Sequence, residues 1–146
     1  MGVSKNNNQS QIIDGDLNDD SSKFKGVHLI LELYKCNKEK LNDELFLRCA
    51  ITNAAKLAKS KVLNLVSNKF EPQGVTAIAL LAESHLSIHT WPESRYAAVD
   101  IYTCGKNMRP DLASKFLIES LDSKNNLIKT LNRNYPKTIE SLMRRL

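Results

Sequence analysis

The sequence predicts an α+β fold: a two-layer α/β sandwich in which a mainly antiparallel sheet carries two helices on one face. Three observations lead there. Six segments are apolar or alternating over strand length, and two others repeat at helical spacing. The four central strand candidates follow one another through turns too short for a parallel crossover.

The elements follow in order. Val27 to Tyr34, VHLILELY, alternates and is β-rich, entered at Gly26. Between Asn37 and Lys59 the period lengthens. Leu41, Leu45, Arg48, Cys49, Thr52, Ala55 and Leu57 recur near helical spacing, which predicts one amphipathic helix with Asn37 as its N-cap. KVLNLVSNKF (61 to 70) reads as a strand closed by the turn residues Pro72, Gln73 and Gly74, and VTAIALLA (75 to 82) as a buried strand. LSIHTW (86 to 91) and YAAVDIYTC (96 to 104) are two more strands, joined through Pro92 to Arg95. Asp111 is placed to cap a second helix reaching Leu121, with Leu112, Phe116, Leu117 and Leu121 on one stripe. NLIKTLNR (126 to 133) is the last strand.

The first 22 residues are dominated by Asn, Asp, Ser and Gln and are expected to form a disordered polar tail. They lack the basic and apolar regions of a signal peptide, and Asn6 breaks the myristoylation pattern. Residues 23 to 146 are expected to be a single domain. The longest unbroken apolar run, Ala77 to Ala82, is far short of the roughly 20 residues that a membrane helix needs, so no membrane association is expected. Cys36, Cys49 and Cys104 form no CxxC pair and leave one unmatched, which fits a reducing, cytoplasmic setting.

The net charge of +5 is local. Residues 1 to 104 carry 12 basic and 12 acidic side chains, whereas 105 to 146 carry 9 and 4. That last third holds only Phe116 and Tyr135 as aromatics and no nucleic-acid-binding motif, so it reads as a solvated basic face with no nucleic-acid partner.

Phosphate loops of the GxGxxG and GxxxxGK types are missing. His85, His89 and Cys104 match none of the usual zinc ligand spacings, so no metal site is expected. Reactive side chains concentrate in Glu83-Ser84-His85-Leu86-Ser87-Ile88-His89, where one apolar strand turns into the next. Taken alone, this cluster reads as a polar turn or as a Ser/His pair lacking the GxSxG elbow of hydrolases.

AESHLSIHTWPE followed by YAAVDIYTCG resembles the prokaryotic-type S-adenosylmethionine decarboxylase proenzymes, over roughly residues 26 to 133. The resemblance implies self-cleavage between Glu83 and Ser84. The Ser84 hydroxyl would attack the Glu83 carbonyl, and β-elimination of the resulting ester would leave a pyruvoyl group on the new terminus. The products would be a β chain of residues 1 to 83 and an α chain of 84 to 146. By the same resemblance His89 and Thr76 assist processing. His89 suits that role chemically, since an imidazole moves protons near neutral pH.

In the mature enzyme the resemblance implies a Schiff base between the pyruvoyl carbonyl and the substrate amine, an electron sink for decarboxylation. Cys104 then stands at the proton-donor position. Phe70 would stack on the adenine of S-adenosylmethionine and Glu93 would hold the ribose hydroxyls. Arg95, two residues on, is placed to compete for Glu93. Cys36 and Cys49 read as small buried residues, and His28 and Glu32 share one face of the first strand. The implied function is pyruvoyl-dependent decarboxylation of S-adenosylmethionine for spermidine synthesis, in a homodimer of cleaved protomers. Ornithine or arginine as substrate, and an unprocessed regulatory or binding homologue, are the alternatives.

Overall fold

The computed structural model describes residues 25–134. The expected polar tail, residues 1–22, lies outside them, as do residues 23–24 and 135–146 of the expected domain. The element order is β1 (Lys25–Tyr34), α1 (Lys38–Leu41), α2 (Glu44–Leu57), β2 (Val62–Lys69), β3 (Val75–Leu81), β4 (His85–Trp91), a short 3₁₀ turn (Pro92–Ser94), β5 (Tyr96–Cys104), α3 (Pro110–Ser120) and β6 (Asn125–Asn134). The six strands form one sheet in the order β2-β3-β4-β5-β1-β6, and every pairing is antiparallel. The α+β architecture is the expected one.

Alternation along the strands divides the sheet into two faces. Leu29, Leu31 and Leu33 of β1, Val75, Ala77, Ala79 and Leu81 of β3, Leu86 and Ile88 of β4, and Ala97, Val99 and Ile101 of β5 are all buried. They meet Leu47, Ile51, Ala54 and Ala55 of α2 and Ala113 and Leu117 of α3 in one core. Alanines at 77, 79 and 97 keep the sheet low beneath the helices. Each fully buried leucine or isoleucine contributes roughly 1.5–3 kcal/mol to holding the layers together. The opposite face carries the polar and aromatic residues of the same strands.

The structure departs from the sequence reading at the helices. The single helix expected over 37–59 is two. Asn37 does cap, accepting from the Lys40 amide at 3.1 Å, but α1 ends at Leu41 and Asp43 starts α2 by accepting from the Phe46 amide at 2.9 Å. Two capping side chains six residues apart compete for the backbone, and each starts its own helix. The restart moves the buried stripe of α2 to Leu47, Ala50, Ile51, Ala54 and Ala55, and leaves Leu45 71% exposed. At α3 the helix starts at Pro110, a residue suited to the first helical position, and Arg109 is the cap residue. Asp111 sits inside the first turn, gripped by Arg109 through two hydrogen bonds of 2.9 and 2.7 Å.

Thr90 ties α1 to the sheet. Its buried hydroxyl donates to the Leu41 carbonyl at 2.7 Å and accepts from the Val75 amide at 2.8 Å. Gly74, just before β3, has φ +103°, and a Cβ there would lie 2.9 Å from the Thr90 carbonyl oxygen. Both conditions select glycine.

Candidate active site

The polar face of the sheet has two clusters, at opposite ends. The first lies where β2 and β4 end and β3 and β5 begin. Thr76 and His89 are direct register partners, and Thr76 Oγ1 is 2.9 Å from His89 Nδ1. Phe70 follows β2 directly; its amide donates to the Gly74 carbonyl at 2.8 Å, and its ring is 49% exposed. Glu93 is exposed on the 3₁₀ turn after Trp91. Beside it the rings of Trp91, Tyr96 and Tyr34 stack across β4, β5 and β1, with centroids 5.2 and 5.4 Å apart. The Tyr96 hydroxyl donates to Glu32. Burial first, and then the bond to the Glu32 carboxylate, pushes the Tyr96 phenol up to about 12.

The second cluster surrounds the turn between β3 and β4. The Leu81 amide donates to the Ser84 carbonyl at 2.9 Å, so only Ala82 and Glu83 span the gap between strands. The turn is fastened sideways to the residue before β2: the Ala82 amide donates to the Lys61 carbonyl at 2.9 Å, and Glu83 Oε2 accepts from the Lys61 amide at 3.3 Å. Ser84 is half-buried, with Oγ 3.4 Å from Nδ1 of His85. His85 opposes Tyr102, and Tyr102 opposes His28. The Tyr102 ring lies 5.8 Å from the His85 ring and 5.4 Å from the His28 ring, and His28 Nε2 is 2.8 Å from Asp100 Oδ1. Cys104, half-buried, closes β5 opposite Gly26.

The expected site residues therefore fall into two groups. Thr76, His89, Phe70 and Glu93 share one end; Glu83, Ser84 and Cys104 share the other. His89 is four residues along β4 from His85, roughly 13 Å at the rise of a strand, so within one chain the imidazole beside Ser84 is that of His85. His28 and Glu32 do share a face, but each serves a different cluster.

Two side readings are corrected. Arg95 does not engage Glu93; its Nε donates to the Cys36 carbonyl at 2.8 Å. Cys36 is buried, and burial pushes its thiol up, but Cys49 is exposed. Sequence reasoning passed over Tyr102 and Asp100. The available signal was the two-residue period of YAAVDIYTC, which aligns both with Cys104 on one face.

Among the described residues no group of three or more His, Cys, Asp or Glu is arranged to hold a metal ion, and no helix is long and apolar enough to cross a membrane.

Comparison with known proteins gives one answer. The family model described as S-adenosylmethionine decarboxylase matches residues 27–134. The chain is 55% identical over 119 residues to the S-adenosylmethionine decarboxylase proenzyme of Prochlorococcus marinus (strain MIT 9313), covering 82% of this chain and 95% of that one. It is 40% identical to the proenzyme of the same name from Thermodesulfovibrio yellowstonii, covering 68% and 73%. The crystal structure of the adenosylmethionine decarboxylase from Aquifex aeolicus VF5 superposes with a TM-score of 0.74 at 33% identity, covering 80% of this chain and 96% of that one. With the family model matching residues 27–134 and relatives up to 55% identical over most of its length, the chain belongs to the S-adenosylmethionine decarboxylase family.

Proposed function

We propose that this chain is a self-processing, pyruvoyl-dependent decarboxylase of S-adenosylmethionine, and that its product serves as the aminopropyl donor for spermidine synthesis. The observation that carries the reading is the placement of Ser84 after a two-residue turn, at the same end of the polar face as Cys104, in a chain of this family. The residues fit a pyruvoyl group made in place. A serine hydroxyl adjoins the Glu83 carbonyl at a half-buried turn, and the bond to be cut lies outside every strand ladder.

In processing, the Ser84 hydroxyl adds to the Glu83 carbonyl while an imidazole takes its proton. Once formed, the pyruvoyl group supplies a carbonyl that binds the substrate amine and withdraws electrons from its α-carbon. Cys104 holds the proton that replaces carbon dioxide, Phe70 offers its exposed face to the adenine, and Glu93 offers two acceptor oxygens to the ribose.

The two-ended arrangement supports a homodimer. For His89 and Thr76 to act at Ser84 they must come from a second copy laid across the polar face. That face presents Ile78, Leu80, Trp91, Tyr34, Leu127 and Leu131, all exposed apolar or aromatic residues suited to burial. Three free cysteines support a reducing compartment such as the cytoplasm.

The test is intact-protein mass spectrometry of the purified chain, followed by carbon dioxide release from S-adenosylmethionine, ornithine and arginine. Cleavage before Ser84, a pyruvoyl mass on the new terminus and turnover of S-adenosylmethionine are expected. Preference for ornithine or arginine would overturn the substrate, and a single uncleaved, inactive chain would overturn the enzyme reading.

A further inference from the structure

Tyr102 is held in place from four sides. A Cβ built on Gly26 would lie 2.7 Å from both Cε2 and the hydroxyl oxygen of Tyr102, so the ring lies flat over Gly26 in a slot that any larger residue would fill. The Arg133 guanidinium of β6 covers the ring, its carbon 4.6 Å from the centroid, close enough for cation–π attraction. His85 of β4 and His28 of β1 meet its edges at 5.8 and 5.4 Å, and Asp100 fixes His28 in turn.

This clamp directs the hydroxyl at one neighbour. Gly26 is the register partner of Cys104, and Cβ atoms of such partners stand roughly 5 Å apart. The Tyr102 hydroxyl, 2.7 Å from where a Gly26 Cβ would stand, therefore lies on the side of the Cys104 side chain. The neighbouring Cys104 side chain first, and then burial, push the Tyr102 phenol up, against a lowering from Arg133.

We propose that Tyr102 is the positioning residue of Cys104: clamped between the Gly26 slot and Arg133, it donates its hydroxyl to the Cys104 sulfur, aiming the thiol and stabilising the thiolate left when the proton departs. The inference rests on the reading of Cys104 as the proton donor. In that step the S–H bond breaks, its proton joins the α-carbon that has lost carbon dioxide, and the electron pair stays on sulfur facing the Tyr102 O–H. A hydrogen bond present to the thiolate and absent in Tyr102→Phe leaves the thiolate less stabilised in the variant.

The first experiment needs no cofactor. In an uncleaved Ser84→Ala chain, the rate of iodoacetamide alkylation at Cys104 is followed against pH by peptide mass spectrometry, which separates it from exposed Cys49. Tyr102→Phe is expected to lower that rate severalfold across the profile. Gly26→Ala, which drives a methyl into the ring, is expected to move it the same way, and supplies the measurement if Tyr102→Phe does not fold. In the processed enzyme Tyr102→Phe is expected to lower kcat roughly tenfold with KM held within about twofold. Profiles unchanged in both variants would overturn the proposal whatever the activity. Full decarboxylation by Cys104→Ala would instead overturn the reading of Cys104 as donor, an outcome that the alkylation profiles do not depend on.

Discussion

Thr76 Oγ1 and His89 Nδ1 are 2.9 Å apart across the β3–β4 ladder, at the far end of the sheet from Ser84. A hydroxyl and an imidazole so placed share a hydrogen bond, while the peptide bond proposed for cleavage lies beyond their reach in the same chain.

The separation predicts complementation. Neither Ser84→Ala nor His89→Ala chains alone should be active, but coexpression should produce mixed dimers with one complete site. Random pairing then gives about a quarter of the wild-type decarboxylation. Absence of any recovery would show that His89 acts within its own chain.

Gly74→Ala combines a left-handed backbone angle with a carbonyl contact of 2.9 Å. A loss of about 2 kcal/mol in urea unfolding is expected, with the break felt at Thr90 and thus at α1. A loss under about 0.5 kcal/mol would show that the turn relaxes freely.

Tyr96 gives a prediction at alkaline pH. Its folded value, about 12, lies above the ordinary phenol value of 10.0. The stabilisation from keeping the proton is thus fully present below pH 10 and fades as pH rises through about 12. In an ultraviolet phenolate titration, the difference between wild type and Tyr96→Phe should isolate a group ionising near pH 12. A difference curve centred near 10 would show that neither burial nor Glu32 holds the phenol up.

Thr103, 2% exposed, has a hydroxyl with no hydrogen-bond partner among the described residues. Thr103→Val removes that oxygen at nearly constant shape on a strand that favours valine, so a gain of about 1 kcal/mol is expected. Destabilisation in the same urea assay would mean that the hydroxyl is satisfied in solution.

The strands were legible because one buried face imposes a strict alternation, as in Leu29-Leu31-Leu33 and Ala97-Val99-Ile101. All six were placed within a residue or two of their ends. Helix starts were harder to read, since Asn37 and Asp43 both cap well and composition does not say that both are used. At the site, motif residues were legible one by one, yet their division between two ends depends on which residues pair across strands. Position along the chain hides it: Ser84 and His89 are close in sequence, but an extended strand carries them apart. Tyr102 was missed for a related reason, because Gly26, over which its ring lies, is brought beside it only by the β1–β5 register.

The strand order has a mechanical consequence for a chain cut after Glu83. The leading piece would carry β1, β2 and β3, and the trailing piece β4, β5 and β6. Since β1 is threaded between β5 and β6, with eight register partners on one side and ten on the other, the pieces interlock rather than abut. β6 is joined to the sheet only through a strand of the other piece. Neither fragment can peel away with its own sheet intact, and exchange of fragments between molecules requires β1 to leave both ladders at once. Such a nick would therefore separate the chain covalently while leaving it, kinetically, one body.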